Sequence, residues 1–462
     1  MTHVHFIGIG GTGLSAIARL LLEMGFTVSG SDRAMSPFAE ALQRDGALVH
    51  LGHAASNITG ADWVVRSSAV GDDNPEVQEA KKRGIPVYKR SDFLGRLMEE
   101  KTGIAVAGAH GKTTTTGMIA WTLFALGRDP SFIVGSTLTN LKTNARAGKG
   151  RPFVIEADEY DRMFLGLKPR IAVVTNLEHD HPDCYPTFDD MRSAFQSFVQ
   201  LLPSDGTLVA CIDDPAAAAL MNDARRDGKN VLAYGLQGES TINASQWMLA
   251  RNVQANTRGG FDFEATSNLF ADAQSVHASL QVPGRHNVQN ALAVLAVTSL
   301  LGLPPKKAAE ALGEFRGTGR RFEILGEHNG ITVINDYGHH PTEIKATLAA
   351  ARARYVSRRI VAVWQPHTYS RTQTLFEQFA SAFPDADEVI ATEVYASREP
   401  KQNFSSAAVI HYMHHPSARF IAELKDTTRY LIDHLQPGDV LIVFSAGDAD
   451  RVSADVLAGL RK

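Results

Sequence analysis

The stretch GIAVAGAHGKTTTTGMIAW, Gly103 to Trp121, restricts the possible folds more than any other part of the chain. An apolar run enters a glycine turn at Gly108 and leaves it through Gly111, Lys112 and Thr113 into a long helical segment. Strand, glycine turn and helix in series is how α/β proteins hold a phosphate. Backbone N–H groups from Gly108 through Ala109, His110, Gly111 and Lys112 to Thr113 form an anion nest, and a threonine hydroxyl suits magnesium. The common pattern has a glycine five residues before the glycine of Gly-Lys. Val106 stands there instead, so this loop is shorter than usual. The plain alternative, a glycine-rich strand end with a solvated lysine, leaves that series unexplained.

The rest of the chain repeats the strand–helix alternation. From HVHFIGIG to IPVYKR, short apolar strands alternate with helical segments, which predicts a parallel sheet with crossover helices. The pattern restarts at the phosphate loop and again after RGTGRR, with ITVINDYG, RIVAVWQP, DEVIATEVY and DVLIVFSAG as strands. Between about Ser240 and Pro283 the alternation reads as antiparallel strands. The expected architecture is α/β in three domains, at 1–99, 100–316 and 317–462. The first and third read as Rossmann-like, the second as a phosphate-loop ATPase unit. A chain of 462 residues has room for about three domains. The net charge of −4 gives no nucleic-acid footprint. No apolar run reaches the roughly 18 residues of a membrane span. The N-terminus enters a strand directly, without a signal-peptide pattern. The two cysteines, Cys184 and Cys211, are expected to be incidental thiols of a cytoplasmic protein.

Four further clusters carry chemistry. GIGGTG places Gly8, Gly10 and Gly13 after a strand, with Gly11 and Thr12 between, and Asp32 ends the next strand. That context favours a nucleotide diphosphate over a structural turn, and alone it reads as a dehydrogenase. VIEADEYD and VVTNLEHDHPD put Glu156, Asp158, Glu159, His179, Asp180 and His181 just past two strands, on the edge where ligands bind. Of these, Glu156 and His181 are favoured as metal ligands. GRHNVQNALAV opens a helix, and Asn287 and Asn290 read by spacing as caps. In the last section Arg320, Arg321 and Arg371 are suited to clamping anions, and Asp336, Tyr337, His339 and His340 fall within five residues.

GAHGKTTTT, EADE, TNLEHDH, GRHNVQNALA, TGRRFE, DYGHHPTE and QPHTYSRT together resemble the Mur ligases, over the whole chain and in order. With SGSD, SSAV and NPE near the N-terminus, the resemblance is to the alanine-adding branch. It implies an ATP-dependent ligase of peptidoglycan precursor synthesis. In such an enzyme the first domain holds UDP-N-acetylmuramate, with Gly8, Gly10, Gly11, Thr12, Gly13, Ser31, Asp32 and Ser68 as candidate contacts. The resemblance assigns Gly108 to Thr114 to ATP, with Lys112 on its phosphates and Thr113, Glu156 and His181 on magnesium. It moves Asn287 and Asn290 from capping to the adenine region. It sets Arg320 or Arg321 against the phosphates, Asp336 against the ribose, and Tyr337, His339 and Arg371 against the incoming L-alanine. Other family members carry a carbamoylated lysine after the metal-binding histidine. Here no lysine lies between Lys168 and Lys229, and Gln196 falls about where it would stand, as in the alanine-adding branch.

The implied reaction converts a lactyl carboxylate to an acyl phosphate by γ-phosphate transfer, and amine attack then gives the amide. Lys112, His339 and Arg371 are the expected catalytic set. The expected protein is a monomer or weak homodimer with no nucleic acid and no membrane insertion. Three rivals are weighed. A recycling ligase adds a murein tripeptide to the same UDP-sugar, and TGRRFE and DYGHHPTE disfavour it. A dehydrogenase leaves Gly-Lys-Thr without purpose. A non-catalytic nucleotide sensor leaves the third domain's His, Tyr and Arg set unexplained.

Overall fold

A computed structural model describes residues 1–236, 244–270 and 275–461. The TIN of the expected strand near Ser240 lies outside the described residues. Three sheets organise the molecule, one in each expected section. In the first, His3–Ile7 lies centrally between Thr27–Asp32 and Trp63–Arg66, with Leu48–Leu51 and Val87–Lys89 outermost, all parallel. Buried parallel strands read as near-continuous apolar runs; His3–Ile7 departs from this at His5, which is buried against Ser29.

The ten-stranded central sheet holds Thr102–Ala107 between Ile171–Val174 and Pro152–Glu156, so the phosphate loop, EADE and TNLEHDH leave adjacent strand ends. One flank of this sheet is the antiparallel set Gln246–Ala255, Phe261–Ser267 and Val276–Ser279, as the alternation predicts. Asn230–Gly235 and the short edge strand Thr143–Arg146 also belong to it and were not expected. Arg285–Leu300 is apolar nearly all round, and such a helix must be buried. It packs against the phosphate-loop helix Lys112–Ala125 within one core. On the other face Phe164 stacks on Phe198 at 4.9 Å and meets Phe195 edge-on at 5.2 Å.

The third sheet is parallel except for Glu323–His328, which pairs antiparallel with Ile331–Asp336. The connection into this section is stitched to the central domain. Thr139 N–H donates to Gly317 O and Gly319 N–H to Thr137 O, while Ser136 Oγ donates to Gly319 O. Asn140 bonds both Glu314 O and Arg316 N–H. Just beyond, Arg320 and Phe322 have positive φ. Among the described residues no helix is long and apolar enough to cross a membrane.

Candidate active site

The phosphate loop is built by its neighbours. Gly108 has φ +143° and lies so close to Thr175 Oγ1 that a Cβ there would collide with it. Gly111, at φ +81°, turns the chain into Lys112–Ala125. Thr175 Oγ1 donates to His110 O at 2.6 Å. The Asn176 side chain accepts from His110 N–H at 2.8 Å and donates to His110 O at 3.1 Å, and its carbonyl accepts from Ala109 N–H. The nest is therefore narrower than expected. The amides of Ala109 and His110 are spent on Asn176, and the helix start from Gly111 to Thr114 supplies the outward donors.

Lys112 folds back, with Nζ donating to Gly108 O at 2.6 Å and to Glu159 Oε1 at 2.9 Å. Burial opposes its charge, but Glu159 and Glu156 outweigh burial and raise its pKa. Thr113 Oγ1 donates to Glu156 Oε1 at 3.0 Å, and Gly135 N–H donates to Glu156 Oε2. Burial pushes the Glu156 carboxyl up, against the pull of Lys112. His181, at φ +57°, reaches Glu159 and Asp180 at 3.6 Å each rather than Glu156. Glu159 Oε2 is buried with no partner. A second group crosses to the third domain: donor atoms of His110, Glu178 and His340 lie within 4.8 Å of one another. Glu178 and Glu343 overcome the desolvation of His110 and raise its pKa to about 9.

Beside the loop a cavity of about 610 Å³ is lined by His110, Gly111, Thr114, Asn287, Asn290, Arg321 and Asp336. Gly284, not an asparagine, caps the Arg285–Leu300 helix, so the capping reading of Asn287 and Asn290 fails. Asn290 donates to Asn287 Oδ1, and Asn287 to Pro283 O. The two arginines separate. Arg321 lines the cavity and pairs with Glu343 at 3.0 Å. Arg320 turns to Ser445 O at 2.7 Å, while both guanidiniums lie over the Tyr337 ring, at 5.0 and 5.2 Å. Asp336 accepts from Phe322 and Gly338 N–H, and burial raises its pKa to about 6 against the opposing pull of Arg321 and those amides.

His339 and Arg371 meet the central domain at Asp180, and Tyr337 packs on His339. His339 Nε2 is 3.8 Å from Asp180 Oδ2, and the rings of Tyr337 and His339 are 5.4 Å apart, edge to face. His340 caps the Pro341–Arg354 helix, its Nδ1 accepting from Thr342 N–H. Gln196 lies on the Phe188–Gln200 helix and bonds Asp223.

In the first domain Asp32 Oδ2 accepts from Gly10 N–H at 2.8 Å, propping the glycine turn. Gly13 lies under Arg90, which leaves no room there for a side chain and pairs with Asp158 of the central domain. Gly8 has φ +89°, and Gly11 caps the helix that Thr12 opens. Ser68 is exposed just past Trp63–Arg66. Ser31 is buried, donates to Glu76 at 2.6 Å and contacts His53 at 2.9 Å, so its hydroxyl is engaged inside the domain. Sequence reasoning gave no role to Thr175, Asn176, Glu178 or Glu343, although TNLE and HHPTE contain them.

Comparison with known proteins matches each of the three sections to one family. Residues 3–102 match the profile of the Mur ligase family, catalytic domain; residues 106–298 match the Mur ligase middle domain; residues 320–447 match the Mur ligase, glutamate ligase domain. A UDP-N-acetylmuramate--L-alanine ligase of Syntrophus aciditrophicus is 41% identical, covering 100% of this chain and 94% of its own. One from Methylobacillus flagellatus is 44% identical over 98% and 95%. The crystal structure of UDP-N-acetylmuramate-alanine ligase from Thermotoga maritima superposes with a TM-score of 0.80 at 29% identity, covering 100% and 99%. A murein peptide ligase from Psychrobacter arcticus 273-4 gives 0.70 at 26%, covering 100% and 99%. With all three sections matched in order, the chain belongs to the Mur ligase family.

Proposed function

We infer that this chain is an ATP-dependent ligase that joins L-alanine to the lactyl carboxylate of UDP-N-acetylmuramate in cytoplasmic peptidoglycan precursor synthesis. The observation that carries the reading is the full-length likeness to L-alanine ligases. It is supported by the His179–His181 loop, whose Asp180 meets His339 and Arg371 and whose His181 faces Glu159, the partner of Lys112. Recycling of a murein tripeptide is not favoured.

The cavity suits a nucleotide, being within the usual few hundred to about 1,000 Å³ of ligand sites. Asn287 and Asn290 would flank the base, Asp336 the ribose and Arg321 the phosphates. Thr113, Glu156 and His181 would hold magnesium. The oxygens of Thr113 and Glu156 suit that hard ion, and His181 adds a nitrogen beside Glu159, whose second oxygen is buried without a hydrogen bond. Magnesium held there would supply charge neutralisation for transfer of the γ-phosphate to the lactyl carboxylate. Lys112 is pre-positioned by Glu159 to swing to the γ-phosphate. Amide donors from Gly111 to Thr114 fix the phosphate chain. The N-terminal glycine turn, with Gly8, Gly10, Gly11, Thr12 and Gly13 braced by Asp32, would receive the UDP diphosphate. Ser68 stands at the same sheet edge, while Ser31 would act only through Glu76 and His53. Attack of the alanine amine on the acyl phosphate then forms the amide and releases phosphate. His339 is placed to orient the amine and Arg371 to pair with the carboxylate.

The test is phosphate release from ATP and magnesium with UDP-N-acetylmuramate. L-alanine is compared with the L-Ala-γ-D-Glu-diaminopimelate tripeptide. Release with alanine alone is expected. Release with the tripeptide alone moves the chain to recycling, and none with either returns it to nucleotide sensing.

A further inference from the structure

Arg371 is 3% exposed, and a guanidinium in that setting needs a counter-charge. It finds one in the other domain. Nε and Nη2 both donate to Asp180 Oδ1, at 3.0 and 2.7 Å. Asp180 is itself 3% exposed. The same oxygen accepts from His181 N–H at 2.7 Å, which fixes the loop that presents it. Asp180 thus occupies one edge of the guanidinium. At the other, Nη1 lies 3.2 Å from His367 Nδ1. Burial, then His339 and Arg371, hold the His367 pKa near 3, so this neighbour is a neutral ring that an anion can displace.

We propose that Asp180 is the positioning residue for Arg371: the central domain's His179–His181 loop holds the C-terminal domain's guanidinium by its Nε–Nη2 edge and leaves the Nη1 edge for the carboxylate of the amino acid. The proposal rests on the ligase reading above. Its consequence is that the amino-acid pocket is completed across the two domains and is lost when they separate.

Asp180→Ala and Asp180→Asn in the full chain, each with Arg371→Ala, test this by steady-state phosphate release. The wild-type chain is measured first. If it shows no alanine-dependent release, the ligase reading fails before Asp180 is in question. Given that release, Asp180→Ala is expected to raise KM for L-alanine about tenfold or more, as loss of one partner of a buried charge pair does. KM for ATP and for the UDP-sugar should stay within about threefold. Asp180→Asn keeps the Oδ1 acceptor without the charge and should fall between. In Arg371→Ala, removing Asp180 should add little. The proposal is overturned by an unchanged alanine KM, by additive effects, or by an equal rise in the magnesium requirement, which would place the action of Asp180 on His181. If Asp180→Ala does not fold, Asp180→Asn decides by the same criteria.

Discussion

Replacing Asn176, which lines the nucleotide cavity, by alanine should weaken ATP binding chiefly by loosening the loop it braces. The side chain makes two hydrogen bonds to His110, one to each side of its peptide, at 2.8 and 3.1 Å. Each such bond contributes about 1 kcal/mol net. Their loss therefore frees the loop by about 2 kcal/mol, which nucleotide binding must then restore. At 1.4 kcal/mol per decade that is about a 30-fold rise in KM for ATP. The Asn176 backbone carbonyl still holds Ala109, so the loop loosens without being released. Thr175→Val removes a single bond to the same carbonyl and should give about fivefold by the same arithmetic. The assay is initial-rate phosphate release at saturating UDP-sugar and alanine, with the thermal midpoint as control. A KM for ATP within threefold of wild type in a folded Asn176→Ala protein would refute the claim that this side chain pre-organises the loop.

Further perturbations follow from the same geometry. Lys112→Ala should abolish turnover and destabilise the chain by about 3 kcal/mol in urea, because the buried Glu159 loses its closest counter-charge and keeps only His181 at 3.6 Å. Adding Glu159→Gln should recover most of that stability but no activity. Phe198→Ala should cost about 3–5 kcal/mol through the cavity left beside Phe164 and Phe195, and a shift below 1 kcal/mol would contradict the packing. The His110 pKa lies above its unfolded value of about 6.5, so the stability it contributes is complete below pH 6.5 and is lost as pH rises through about 9. The urea midpoint should fall over that window in the wild type and less steeply in His110→Gln.

Asn230–Gly235 aside, the sequence carried the parallel sheets well because buried segments such as Ile104–Ala107 and Ile171–Val174 are apolar on both faces. It carried Thr143–Arg146 and Glu323–His328 poorly. Each pairs on one side only, at a sheet edge, where EILGEH can alternate with polar residues and still be a strand. The motif residues were legible as types, not as bonds. Ser31 looked like a ligand contact, but its hydroxyl is committed to Glu76, which lies 45 positions away. Arg320 and Arg321 were indistinguishable until the turn at Arg320 sent one to Ser445 and the other to the cavity. Asn176 carried no signal of its own, because its importance lies in a contact 66 residues away.

The stitched connection between the central and C-terminal sections has a mechanical consequence. Hydrogen bonds clamp the chain as far as Gly319, and the strand Glu323–His328 begins four residues later. Only Arg320, Arg321 and Phe322 stand between, two of them in the left-handed region. A shoulder three residues long therefore joins the C-terminal domain to the central one, with Arg321 at its centre, its N–H tied to Thr318 O and its guanidinium to Glu343. A change in the angle between the domains would strain one of these two ties, so the aim of this guanidinium into the nucleotide cavity is set by the joint itself.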